Sequence, residues 1–520
     1  MNDKIIQKYT LKQKIGRLLL CPFKPKSRPP VKHFLINFLI ATLVIAGLYW
    51  LEDSLFFKER KDDVLDWVMY WHSDFVPTVN NQEMQRMMLF EIDEKTFRAW
   101  GSSVITPRDK LKALIEQARK GGANVIAVDL ELSWRSDGCL QESGKSSACL
   151  PTKNPTADEL AQYQQQLDWR DQELAEYLQN LNESEDAKTP LIILTRLYRH
   201  PIEGNQTNEE TFLVRPPSFL DNTLKEQKNI FWASTFFEVD TDRVRRRWQL
   251  AALVCQDEHL MIVPSMQLFV ALTQLYATPE STRQAAQIIR TKLKQWNEWA
   301  NTLSCDIPHG TTLPKLCQHQ TCPDLTVELP KKVGVNDKTH LVDLARGRET
   351  ERVVYRFAPA DNPNPFQRSL IDKKSALDVL VNGAANDNQI VFIGVTHQYN
   401  DDHHPVPIRY KEIDGVYVVA NAVDTLLRFG QFRSQPFISQ FSISLIVIII
   451  TTVLFTFYGI VRAFMFSTLF VGGVLFLGSG QALHHGIGVD IALPMLTIQI
   501  LQVFRYFLEY AKLYLEDTAC

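Results

Sequence analysis

The placement of apolar runs constrains this chain most. One stretch, residues 34–51, stands near the N-terminus, and three more, 437–458, 463–483 and 491–510, crowd the C-terminal end. Each is close to the length a helix needs to cross a hydrocarbon core. The expectation is therefore four transmembrane helices, with everything in 52–436 folding in one compartment.

Charge assigns the sides. Residues before Phe34 carry Lys4, Lys8, Lys12, Lys14, Arg17, Lys24, Lys26, Arg28 and Lys32 against the single acid Asp3, and a basic flank of this kind stays in the cytoplasm. The sequence after Leu51 has no small-x-small cleavage pattern, so 34–51 reads as an uncleaved signal anchor. Residues 1–33 and 511–520 then form cytoplasmic tails, and 52–436 lies outside. The net charge of -3 gives no reason to expect a nucleic-acid partner.

Cysteine usage agrees with that placement. Cys139, Cys149, Cys255, Cys305, Cys317 and Cys322 all fall in 52–436, an even set in a compartment that permits disulfides. Cys139 and Cys149 suit one short loop. Cys305, Cys317 and Cys322 cluster with Cys255 as a fourth; their pairing stays open, as does a zinc site, although the C-x-x-C spacing of zinc ribbons is absent.

Inside 52–436 the pattern is α/β. Met87 to Ile92 reads as a strand ending at Asp93. Thr106-Pro107 opens a helix with Leu111, Leu114, Ile115 and Ala118 on one face, and Gly121-Gly122 stops it. Asn124 to Val128 is a second strand, ending at Asp129. Strand, helix, strand at this spacing is a βαβ unit, which implies three layers around a mostly parallel sheet. Further strands are expected at Pro190 to Leu197, Val353 to Phe357 and Ile390 to Val395, and helices at Pro264 to Tyr276, Gln284 to Leu303 and Ser375 to Leu380. An amphipathic segment from Gly415 leads toward the second apolar run.

Ligands of open α/β sheets bind beyond the carboxyl ends of the strands. Asp93, Asp129, His397, Asp402 and His404 are expected there, joined by Asp242, with Arg108 or Arg245 to pair an anionic group. The competing reading is that such aspartates cap turns and helix starts while loop histidines stay solvated. A divalent cation is the one cofactor left open, and Asp129, Asp402 and His404 are then its ligands. The chain has no G-x-S-x-G, H-E-x-x-H, P-loop or G-x-G-x-x-G signature. No catalytic residue is assigned, and enzymatic activity is not expected.

The runs MMLFEIDEKTFRAWG, ITPRDKLKALIEQARKGGANVIAVDLEL, DTDRVRR, IVFIGVTHQYNDDHHPVP and DGVYVVANAVDTLL together resemble the second type of CHASE domain. That resemblance implies an extracellular sensory domain of bacterial signalling proteins, with one span before it and a group after it. Asp93, Arg108, Asp129, Gly394, Asp402, Pro405, Gly415, Ala420 and Asn421 fall on its motifs. Arg243 stands where the pattern has glycine, and Val419 where it commonly has histidine.

The resemblance implies an inner-membrane sensor, and because little sequence follows the last apolar run the expectation is that it signals to a separate membrane or cytoplasmic protein. The alternatives are a structural subunit of an envelope complex, with self-association in reach, and a metal-dependent periplasmic hydrolase.

Overall fold

A computed structural model describes, with short internal gaps, residues 30–50, 55–75, 87–132, 169–198, 202–273, 279–305, 313–329, 340–355, 371–384, 390–434, 437–458 and 460–488, together with 500 and 507. The basic tail, the segment holding Cys139 and Cys149, and most of the last apolar run lie outside the described residues. The chain divides into two units: Met1–Leu65, Gln435–Ala482 and Val489–Cys520; and Asp66–Ser434 with Leu483–Gly488.

Helix α1 (Pro30–Trp50) takes the first apolar run, and α2 (Leu55–Phe75) the mixed segment after it. Strand β1 (Met87–Ile92) ends at Asp93, whose carboxylate accepts from Thr96 N–H at 2.8 Å and so starts the short helix α3 (Glu94–Ala99). Pro107 precedes α4 (Arg108–Lys120), whose apolar face is fully buried. Strand β2 (Val125–Asp129), helix α5 (Trp169–Glu183) and strands β3 (Leu191–Thr195) and β4 (Ile230–Ala233) complete the first half.

Two antiparallel pairs follow, β5 (Phe237–Val239) with β6 (Arg245–Trp248) and β7 (Ala251–Gln256) with β8 (His259–Pro264). Helices α6 (Met266–Thr273) and α7 (Pro279–Ala300) come next. The chain then returns through β9 (Ile371–Ser375), α8 (Ala376–Asn382) and β10 (Ile390–Val395). A small antiparallel pair, β11 (His403–Pro405) and β12 (Glu412–Asp414), runs into α9 (Gly415–Phe429). Two long helices follow, α10 (Phe437–Phe457) and α11 (Ile460–His484).

The second unit is built on a six-stranded sheet of order β9-β1-β10-β2-β3-β4, in which every neighbour is parallel. Leu89, Ala127, Ile193 and Phe392 face the side covered by α6 and α9. Phe90, Val128, Leu194 and Ile393 face the side covered by α4, α5 and α8. Burial on both faces is why these strands read as continuous apolar runs and not as alternations. The expected three-layer α/β domain is the observed one.

Two details depart from the sequence reading. Of the strand expected at Val353 to Phe357, residues 353–355 are described and form no strand, although the preceding Arg352 makes one bridge, to Arg247. Strand β9 was not expected, because Ile371 is its only fully buried residue and Asp372-Lys373-Lys374 carry charge at a sheet edge.

Cys255 pairs with Cys305, with Cα atoms 5.9 Å apart, tying β7 to the segment after α7, and Cys317 pairs with Cys322 at 5.4 Å. These bonds consume all four thiols of the cluster, so zinc has no ligands there.

In the first unit α1 packs on α10 through Ala41, Ile45 and Ile448, with Phe38 beside them. Among the described residues no helix is long and apolar enough to cross a membrane, so the fold does not establish the four expected spans. The unbroken run of described side chains in α10 is 438–454.

Candidate functional site

The sheet topology makes one position different from the rest. Strand β10, the last to enter, lies between β1 and β2. The helix after β10 covers one face, while those after β1 and β2 cover the other. Loops therefore diverge at the carboxyl end of β10, opening the crevice in which such sheets bind ligands. Glu91, Gly394 and Asp129 stand abreast there, in register across β1, β10 and β2.

Two glycines let α9 close over this point. A Cβ on Gly394 would lie 2.7 Å from the Val416 side chain, so only glycine permits the first turn of α9 to rest on the strand. A Cβ on Gly415 would lie 2.0 Å from Asp402 Oδ2. The Asp402 carboxylate thus sits against the helix start, where the helix dipole favours negative charge. Gly415 N–H also donates to the Asp402 carbonyl at 2.9 Å.

The β11–β12 pair brings histidines to the same place. His404 Nε2 lies 2.7 Å from Asp402 Oδ1, and His403 Nδ1 lies 3.0 Å from Asp414 Oδ1. Glu91 is approached by Lys373 Nζ at 3.7 Å and by the Tyr417 hydroxyl at 3.4 Å. Burial, reinforced by the Asp402 charge, pushes Asp129 up to about 8. Burial also pushes Asp414 up to about 6, against the pull of His403. Both causes favour the neutral carboxyl of Asp129, the form that can donate a hydrogen bond.

The fold separates the candidate residues. Asp129, Asp402 and His404 gather at the crevice, while Arg245 Nη1 donates to the Phe237 carbonyl at 2.6 Å; burial lowers its pKa, and Tyr355 and Asp402 oppose that shift. Asp93 is elsewhere, capping α3 and accepting from Ser375 Oγ at 3.1 Å. Arg108 is buried on the opposite face of the sheet. Its Nε is 3.8 Å from Asp171, and burial lowers it to about 10. Its Nη2 donates to the Glu131 carbonyl at 3.2 Å.

His397 is buried with its ring 4.0 Å from that of Phe97, and burial holds it below the ordinary imidazole range. Asp242 is claimed by Arg246 through two contacts of 2.7 Å. The sequence reading did not assign Glu91, His403, Lys373 or Asp414 to the site. A lone acid in the apolar run MMLFEI is the signal that could have found Glu91.

Asp402 and His404 are engaged with each other, and among the described residues no three His, Cys, Asp or Glu side chains are grouped to hold a metal ion.

The second unit is thus a three-layer α/β domain with polar side chains gathered at its switch point. The sequence profile of the CHASE2 domain matches residues 40–459. The chain belongs to that family, whose members are extracellular sensory domains. No curated protein and no solved structure matches it.

Proposed function

We propose that this protein is a sensor and transducer of a bacterial inner membrane. Its periplasmic domain binds a ligand or an envelope protein at the ends of β1, β10 and β2. The change passes through the apolar helices to a separate membrane or cytoplasmic partner. Asp129 carries this reading: its carboxyl stands at the switch point with no hydrogen bond or ion pair among the described residues, held beside Asp402. A family of extracellular sensory domains supports it.

Membrane placement rests on the side chains of the first unit. Leu39, Leu43, Ile438 and Leu469 are 60%, 64%, 78% and 70% exposed, an unstable arrangement in water and a natural one in lipid. The hydroxyls of Thr42, Ser442 and Thr456 donate to the carbonyls of Phe38, Ile438 and Thr452 at 2.8, 2.7 and 2.7 Å, and so need no water.

One observation favours the scaffold alternative. Cβ atoms built on Gly472, Gly473 and Gly478 of α11 meet nothing within 4 Å, which leaves room for a second helix to approach closely.

Co-purification from native membranes at chromosomal expression level decides between the two. A substoichiometric kinase or cyclase is expected for the transducer. A stoichiometric complex without such an enzyme overturns it in favour of the scaffold.

A further inference from the structure

Helix α9 begins on the crevice, where Gly394 and Gly415 bring its first turn against β10 and Asp402. About 15 Å further along the helix axis, Thr425 is fully buried. Its Oγ1 accepts from Val354 N–H at 3.0 Å, and its own proton is shared between the Asn421 carbonyl at 2.8 Å and the Val354 carbonyl at 3.2 Å. One hydroxyl of α9 thus serves both backbone groups of Val354, a residue outside any strand. Taking Thr425 away would leave those groups unpaired in the interior, so the joint resists slipping.

The segment 352–355 is buried along its length. Val353 N–H donates to the Arg246 carbonyl at 2.8 Å, and the Tyr355 hydroxyl donates to the Arg245 carbonyl at 2.6 Å, which lays the segment along β6. At its leading end the Arg352 guanidinium bonds Asp66 of α2. Arg246 Nε holds the other oxygen of that carboxylate at 2.7 Å. A short segment fixed to α9 at Val354 and to α2 at Arg352 cannot follow one attachment without loading the other, because a close-packed interior transmits displacement.

We propose that 352–355 is a strap tying α9 to α2. Displacement of the α9 start at the crevice is carried through Thr425 and Val354 to Arg352 and changes its hold on Asp66. Residues 66–75 of α2 then report the state of the crevice. The strap rests on the sensor reading and gives it a route.

Gly394→Ala supplies the displacement without a ligand, since its Cβ would meet the Val416 side chain at 2.7 Å and wedge the first turn of α9 away from the strand. Amide hydrogen exchange on the full chain in detergent micelles compares the parent, Gly394→Ala, Thr425→Val and the double variant. Gly394→Ala is expected to change exchange across 66–75 by about fivefold in the parent, and by less than about twofold in the Thr425→Val background, which keeps the volume and lacks the hydroxyl. Thr425→Ser, which keeps the hydroxyl, is expected to retain the full response. No change in the parent, or the same factor in both backgrounds, overturns the strap. A response lost equally with Thr425→Ser assigns the effect to packing and overturns it too.

Protection of Leu111 to Ala118, on the other face of the sheet, is the fold control. A variant that lowers it is replaced under the same criteria: Val416→Ala, which withdraws the contact with β10, stands in for Gly394→Ala, and Arg352→Gln, which cuts the strap at Asp66, for Thr425→Val. Failure here removes the strap, whereas co-purification judges the sensor reading separately.

Discussion

Arg243 holds φ +66° in the turn from β5 to β6, with its N–H donating to the Asp240 carbonyl at 2.8 Å. An L side chain there costs about 1–2 kcal/mol, which is why glycine suits this position. Arg243→Gly is expected to stabilise the domain by about 1 kcal/mol, the remainder being lost to a freer unfolded chain. A higher urea midpoint at unchanged slope checks it. The departure from the family pattern at Arg243 thus concerns backbone strain at a turn whose arginines face other partners.

Asp129 makes the second residue-scale prediction. Its folded value of about 8 lies above the ordinary 3.8, so between those values the folded chain holds a proton that the unfolded chain releases. This contribution to stability is fullest below pH 3.8 and is lost as pH rises through 8. Asp129→Asn removes the dependence, so the variant is expected to gain stability relative to the parent as pH rises. Melting temperatures of both proteins from mildly acid to mildly alkaline pH give the comparison, and parallel curves count against a buried, protonated Asp129.

At the scale of elements, the disulfides hold an insertion that the sheet itself does not organise. Cys255–Cys305 closes a 50-residue separation and Cys317–Cys322 one of 5. Loop-closure entropy assigns about 4 kcal/mol to the first and about 2 kcal/mol to the second. Replacing both cysteines of the long loop with serine is expected to lower the unfolding free energy about twice as much as the same change in the short loop. Equal losses would mean that local packing outweighs chain entropy.

Elements were legible where their burial was uniform. Helix α4 follows its three-and-four spacing, and β2 its apolar run ending in an acid. Strand β9 was not legible, because an edge strand meets the core through one residue, Ile371, and its other positions carry charge.

For the molecule as a whole, the sequence by itself determined the α/β class, the family and the acids at strand ends, since these follow from local periodicity and residue type. It also set out the apolar runs on which the membrane reading rests. Tertiary structure alone decided that β10 enters between β1 and β2, and hence that Glu91, Gly394 and Asp129 meet. It sent Asp93, Arg108, Asp242 and His397 to other places and paired the cysteines of the insertion. Asp66 meets Arg246 across 180 residues and Arg352 across 286. Contacts so distant along the chain depend on strand order and on which face each helix covers, and neither leaves a local mark on the residues involved.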